Sequence, residues 1–430
     1  MAFISTSPSH TMTLIGAVRR AMGPRIKPEA PEKADDIAGY SLTDLRQQVS
    51  IPVPEVSKDC EEKTRLHKAA FMMVRQDNWE TIGEMLRQYD QERAMTRGGT
   101  SKASVLAAGA RKDLRDTIAL SLLPSSEQGL NAATQGIEML DQVLIDHADD
   151  YGVALVVAQA HMDLGSVWRG QGWADEVPAA DWKKFARHYR RATSILEKFD
   201  AQELNSPALA AARCRALAGQ PDAAQRAIAY YEELIQLAPE YARSYREFGK
   251  YLLPRWYGSY ELLEDRARKI VGQSAEYWGT AGYALTYMDA ILEDPECMGF
   301  MDVAQFMQGL HDYAAAQSDQ STINKIVAFL SVSLVPNGPL VSGSKRAYQH
   351  RRALIEAAPE FARKHLREIH PKIWAEAEAG HDADAPPAKE WRQNQAGLEK
   401  AFSLIGRTFE REILRGKRIV FNRDGIEVGV

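Results

Sequence analysis

The sequence predicts an all-α fold. Three observations carry the reading. Apolar residues recur at spacings of three and four from about residue 59 to about 414; short turns carrying Gly, Asn, Asp and Pro separate these periodic runs; and two distant segments repeat one another closely. No convincing period-2 strand pattern appears before residue 415.

Taken in order, residues 1–58 read as a flexible, basic, Pro-rich arm. Met1 to Pro28 carry Arg19, Arg20, Arg25 and Lys27 with no acidic residue. The apolar "MTLIGAV" is short, and its positive charges follow rather than precede it, the wrong order for a secretory signal. A transit peptide has a similar composition; a poorly ordered arm is the preferred reading. The arm ends in "SIPVPEVSKD", where alternating prolines favour extended backbone.

From residue 59 to 378 the pattern is that of a helical-repeat domain. "CEEKTRLHKAAFMMVRQDNWETIGEMLRQYDQERAM" predicts two helices split near Gln76-Asp77, with Asp77 placed to cap the second. "SKASVLAAGARKDLRDTIALSLL" predicts a third, ended by Pro124. In the next, Leu130, Ala133, Ile137, Leu140 and Val143 trace one buried face. The following run is apolar from Val153 to Ala160, the mark of an inner helix. "WKKFARHYRRATSILEKFD", "SPALAAARCRALAG" and "DAAQRAIAYYEELIQLAP" continue the scheme. Residues 379–390, small, acidic and Pro-rich, read as a linker, and residues 391–430 as a last helix and a β-hairpin. In that hairpin Ile419–Phe421 and Ile426–Val428 flank the turn pair Asp424-Gly425. An isolated hairpin is marginal in water, so it should lean on other structure.

Composition narrows the function classes. The 430-residue chain is 45% hydrophobic and 26% charged, the balance of a folded protein, and its net charge of -5 gives no global drive toward nucleic acid. Three scattered cysteines, Cys60, Cys214 and Cys297, make neither a disulfide framework nor a Cys-x-x-Cys metal pair, and a cytoplasmic location is the simplest reading. No apolar run approaches the length of a membrane span.

The repeated segments are "LIQLAPEYARSYREFGKYLLPRW" (Leu234 to Trp256) and "LIEAAPEFARKHLREIHPKIW" (Leu354 to Trp374). Each reads as a helix that stops at Pro and restarts at once, a helical hairpin that must stack on neighbours to bury its apolar face. In the first copy Ala227, Tyr231, Leu234 and Pro239, then Tyr245, Phe248, Gly249 and Leu252, stand at the spacing of the tetratricopeptide repeat. Gly249 permits close helix approach, Ala227 does the same from its partner, and Tyr231 and Tyr245 are large enough to plug the space between pairs. The chain therefore resembles a degenerate tetratricopeptide-like array. The resemblance implies an α-solenoid, a right-handed stack of antiparallel helix pairs. Leu234 departs from that family's usual small residue, and the 239-to-359 separation is no clean multiple of its repeat length.

Next to this match stands Pro254-Arg255-Trp256-Tyr257-Gly258-Ser259, similar to a Pro-Arg/Lys-Trp-x-Gly-Ser signature of bacterial helical-repeat proteins to which no activity is assigned. Pro254 ends a helix, Gly258 can take a positive φ, and Ser259 can cap the helix that follows. Two readings compete for the aromatics. In the preferred one Trp256 plugs a corner between helices while Arg255 and Tyr260 face outward. In the other, Arg255, Trp256, Tyr257 and Tyr260 form a groove wall that anchors a partner.

Other motifs are weaker. "GPLVSGSKR" (Gly338 to Arg346) has the glycine spacing of a phosphate loop, but Ser344 precedes Lys345 and no strand leads in, so a flexible loop is the reading. His365 and His370 are five apart and fall on different helical faces; His147 beside Asp146, Asp149 and Asp150 reads as a polar helix end. "RHYRR" (Arg187 to Arg191) reads as a solvated face. No catalytic residue, metal ligand or cofactor motif is assigned. The function expected is a non-enzymatic scaffold or adaptor for a protein or peptide partner, with no nucleic acid, no membrane span and no oligomeric state assigned. The alternatives are an enzyme or enzyme-linked sensor whose pocket is assembled from distant residues, and an immunity accessory protein that binds a toxin.

Overall fold

The computed structural model describes residues 41–121, 127–170, 176–335, 344–379 and 390–429. The arm before residue 41, most of the 379–390 linker and most of the Gly338–Arg346 motif lie outside the described residues.

Among the described residues the chain forms nineteen α-helices and a three-stranded sheet. The helices are α1 (Leu42–Gln48), α2 (Lys58–Arg75), α3 (Trp79–Gln91), α4 (Lys102–Ala110), α5 (Lys112–Ser121), α6 (Glu127–Asp146), α7 (Tyr151–Arg169), α8 (Ala179–Leu196), α9 (Pro207–Ala216), α10 (Ala223–Leu237), α11 (Ala242–Tyr251), α12 (Tyr260–Trp278), α13 (Ala281–Glu293), α14 (Val303–Ala316), α15 (Gln320–Ala328), α16 (Lys345–His365), α17 (Pro371–Ala379), α18 (Glu390–Thr408) and α19 (Glu410–Leu414). The helix α7 is buried almost throughout, as its continuous apolar run requires.

Several local expectations change. Helix α1 lies within the stretch read as arm, because Ser41 and Asp44 form a reciprocal capping box ahead of buried Leu45. The capping position before α3 is Asn78 rather than Asp77, which instead takes a left-handed turn conformation at φ 56°. The third predicted helix breaks at Arg111 into α4 and α5. The two repeated segments also diverge. The chain breaks at Pro239, between α10 and α11, but α16 runs straight through Pro359. In the first copy the Pro239 carbonyl accepts from the Tyr245 hydroxyl at 2.7 Å and from Trp278 Nε1 at 2.6 Å, which holds the break open. The residue matching Tyr245 in the second copy is His365, and buried Leu354, Ala358, Phe361 and Ala362 keep α16 whole against the proline penalty.

The hairpin has a third member. Strands β2 (Arg418–Phe421) and β3 (Ile426–Gly429) pair antiparallel, and β1 (Val49–Ser50) adds to β2 in parallel with Val49 opposite Ile419. Val49 and Ile419 are both buried, so the sheet leans on the helical core. Nearby, Ile369 N–H donates to the Pro52 carbonyl at 2.9 Å, and Gln317 Nε2 to the Arg97 carbonyl at 2.8 Å. Segments from opposite ends of the described chain are thus in direct contact.

Helices adjacent in sequence are not always the main neighbours. Helix α11 packs chiefly on α13, two helices on, and Gly249 is the reason: a Cβ there would stand 1.7 Å from the Thr286 carbonyl oxygen. The close approach expected of Gly249 is present, but its partner is α13 rather than the helix of Ala227. Tyr231 and Phe248 stack at 5.3 Å beneath that crossing, and Ala227, Tyr231, Tyr245 and Phe248 are all buried.

Candidate functional site

The turn between α11 and α12 is built as a tight knot. Leu253 carbonyl accepts from both Trp256 and Gly258 amides, and Ser259 caps α12 by accepting from Leu262 N–H at 3.1 Å. Gly258 has no positive φ; its role is close approach, since a Cβ would meet the Leu252 carbonyl at 2.2 Å. Leu252 and Leu253 fill the interior of the corner, at 2% and 0% exposure, whereas Trp256 is 39% exposed. The plug reading of Trp256 is therefore corrected: two leucines immediately after α11 occupy the space, and the indole is left on the rim. In the second repeated segment the roles reverse, for Trp374 is fully buried and donates to Asn324 Oδ1 at 2.7 Å.

The rim is ordered by its own contacts. Tyr251 stacks on Tyr257 at 5.6 Å and lies 5.5 Å from Trp256, and Tyr257 sits edge-on to the indole. Burial raises the Tyr257 phenol, so it stays neutral at physiological pH. Arg255, which is exposed, reaches Glu293 at 3.0 Å, tying the turn to the end of α13. Tyr260 is half-buried rather than outward-facing: it donates to Asp294 Oδ2 at 2.8 Å and packs at 5.0 Å on Phe300, itself 38% exposed. The structure thus brings Arg255, Trp256, Tyr257 and Tyr260 to one turn, with Pro254 exposed at its tip. Ala227, Tyr231, Tyr245, Phe248 and Gly249 lie in the core below, and the Tyr245 hydroxyl holds the Pro239 carbonyl at the break between α10 and α11.

A second group of residues escaped the sequence reading. Asp163 of α7 takes Arg111 Nε at 2.9 Å and Arg215 Nη2 at 2.7 Å, while Arg111 also donates to the Ala107 carbonyl and to Gln159. Burial pushes the Asp163 carboxyl up, but the two guanidinium groups outweigh it and hold it below the usual range. Arg246 of α11 makes the same kind of pair with Asp289 of α13 through Nε at 2.9 Å. Near the start of α2, buried Asp59 accepts from the Gly98 amide at 2.8 Å and pairs with Lys63 at 2.6 Å. Asp59 and Lys63 stand at the local i,i+4 spacing, but the Arg–Asp partners are separated by tens of residues, so nothing in the sequence marks those as pairs. Their job is to satisfy charge inside a helical interior.

Lys325 of α15 differs from all of these. It is exposed on a helix whose other residues from Ser321 to Ala328 are buried, and among the described residues its side chain makes no ion pair or hydrogen bond. Loss of hydration and the nearby charges of Lys63 and Arg246 draw its ammonium down to about 8, against Asp59 and Asp319, which pull the other way.

Among the described residues no cluster of three or more His, Cys, Asp or Glu side chains could hold a metal ion, and no helix is long and apolar enough to cross a membrane. The basic stretch Arg187–Arg191 is partly consumed by structure: Arg191 pairs with Asp141 at 2.7 Å, and His188 and Tyr189 are buried. No family model, curated protein or solved structure matches the chain.

Proposed function

We propose that this chain is a non-enzymatic, tetratricopeptide-like scaffold that binds a protein or peptide partner at the turn between α11 and α12. The observation that supports the reading is the rim itself. Trp256 offers its indole to solvent while Tyr251 and Tyr257 hold it in place, so a partner would gain aromatic contact at little entropic cost. Arg255 stands beside it with its own orientation set by Glu293, and Tyr260 with Phe300 extends the surface along the start of α12.

In this reading the degenerate repeats form a stack in which the crossing of α11 on α13 is one interface between units. The stack supplies rigidity, and the loop between two stacked units presents the recognition residues.

Trp256→Ala tests the proposal. Because the indole lies on the rim, its removal should change unfolding free energy by no more than about 1 kcal/mol, whereas loss of a buried anchor such as Tyr245 should cost about 3–5 kcal/mol. Tagged wild type, Trp256→Ala and Arg255→Ala are compared for the partners each retains from host extract, read by quantitative mass spectrometry. A partner enriched by wild type and lost at least tenfold by both variants supports the site. The same partners retained by all three at equal levels would remove this turn as the binding surface.

A further inference from the structure

We propose that the aromatic rim of the turn between α11 and α12 is the docking surface for a segment of this chain itself. The segment is "PRIKPEAPEK", residues 24–33 of the N-terminal arm, and it covers the rim until a partner displaces it. The inference rests on the reading of this turn as a binding surface and adds its occupant.

The chemistry of the rim selects that occupant. Trp256, Pro254 and Phe300 are exposed, with Tyr251, Tyr257 and Tyr260 half-buried around them. The rings form two clusters, Tyr251 with Trp256 and Tyr257, and Tyr260 with Phe300, joined through Gly258-Ser259. Beside them the chain is acidic. Residues 289–302 carry Asp289, Glu293, Asp294, Glu296 and Asp302 and no basic residue. Asp294 accepts from the Tyr260 hydroxyl, the charge of Glu296 also acts on that phenol, and Glu261 is exposed at the start of α12. Aromatic faces next to carboxylates suit an extended, proline-rich segment that carries cations, since its preset φ angles leave little entropy to lose on docking.

The arm supplies such a segment in the right register. A polyproline II helix has three residues per turn, so residues three apart share an edge. In residues 24–33 that spacing puts Arg25, Pro28 and Pro31 on one edge and Pro24, Lys27, Ala30 and Lys33 on the next. Both acids, Glu29 and Glu32, fall on the third edge with Ile26. Docked in that form, the segment turns its prolines and cations to the rim and its carboxylates to solvent.

The tether is long enough. The described chain begins at Ser41, the cap of α1. Helix α1 packs on α18, α18 on α16, and α16 on the short 3-10 turn Pro295–Gly299 that leads into Phe300. Three packing steps of roughly 8–10 Å come to about 24–30 Å. Extended backbone reaches up to ~33–36 Å from Ser41 to Pro31 and up to ~53–58 Å to Arg25. A short flexible tether supplies an effective concentration on the order of 1 mM, so even a weak segment covers the rim.

A fluorescein-labelled peptide of residues 20–35 is titrated into full-length wild type and into full-length chain carrying Arg25→Ala, Pro28→Ala and Pro31→Ala, with binding read by fluorescence anisotropy. The free peptide should bind the triple variant at least tenfold more tightly than wild type, whose own arm competes. Adding Trp256→Ala or Phe300→Ala to the triple variant should weaken the peptide at least tenfold. Equal affinity for wild type and triple variant, or no binding to the triple variant at about 1 mM peptide, would overturn the proposal. So would peptide binding that ignores both rim substitutions. A dimer seen in sedimentation velocity for wild type and lost in the triple variant would put the segment on a second copy and overturn docking within one chain. A host partner lost with Trp256→Ala while the peptide fails to bind would strike this inference and leave the turn as a partner surface.

Discussion

Gly249 and Gly272 are both helical glycines, and the same substitution should move stability in opposite directions at the two sites. An alanine at Gly249 places its Cβ 1.7 Å from the Thr286 carbonyl oxygen, where ordinary contact begins near 3.4 Å. The obstacle is backbone, so no rotamer relieves it. Helices α11 and α13 must move apart by about 1.7 Å, a large fraction of the slack in an interhelical distance of roughly 8–10 Å. Opening a packed crossing costs about 1–3 kcal/mol, and here the tightly packed Tyr245 and Phe248 shift with it. Against this stands the helix preference of Ala over Gly, about 1 kcal/mol. The net for Gly249→Ala is a loss of up to about 2 kcal/mol. At Gly272, exposed on α12, nothing lies within 4 Å of the added methyl. There only the propensity acts, and Gly272→Ala should gain about 0.5–1 kcal/mol. Urea unfolding followed by circular dichroism reads both changes in one experiment. If Gly249→Ala stabilises the protein as much as Gly272→Ala does, the α11–α13 crossing is not the close contact described.

Two further outcomes follow from buried charge. Asp163→Ala leaves Arg111 and Arg215 without their carboxylate and should cost about 3–5 kcal/mol, seen as a lower urea midpoint. The second concerns two histidine pairs. His161 and His188 meet nitrogen to nitrogen at 3.1 Å, with Asp141 and Arg191 alongside, and His311 meets His365 at 2.9 Å beside Phe361. Burial, then the neighbouring histidine, draws His188 and His365 down to about 4. Their folded values lie below the unfolded one, so the stabilisation is whole above about pH 6.5 and is lost as pH falls toward 4. By pH 4.5 the loss should reach on the order of 2–3 kcal/mol per pair, and His188→Gln should flatten the pH profile of the urea midpoint in that window. A flat wild-type profile between pH 6.5 and 4.5 would show the pairs are not held neutral.

Much of the helical layout was legible because it depends on local period and capping. The inner helix α7, the burial of Tyr231 and Tyr245 and the Ser259 cap follow from residues within a turn or two of each position. What could not be read depends on partners far along the chain. Pro239 and Pro359 sit in nearly the same local sequence, and the donors Tyr245 and Trp278 at the one and the buried face of α16 at the other decide that one breaks the chain while the other is absorbed. Trp256 and Trp374 likewise share a context yet differ from rim to core, because Leu252 and Leu253 already fill the first corner. The aromatic turn was found in sequence as a set of residues, but which of them faces solvent was not. The Arg–Asp pairs and Lys325 were missed entirely: a lysine between Asn324 and Ile326 looks like any helix residue until its neighbours from α2 and α11 are in place.

The pairing of Val49 with Ile419 is a contact of very long sequence separation. Most helix contacts lie between near neighbours in sequence, and such contacts can form early and independently. A β1–β2 bond joins residues some hundreds of positions apart, so closing it carries the loop-closure entropy of the chain between them unless the intervening helices have already shortened that path. Docking of this two-residue strand sets the two ends of the described chain against each other. A contact of such long reach raises the mean sequence separation of contacting residues, which slows folding relative to a helical protein held by local contacts alone.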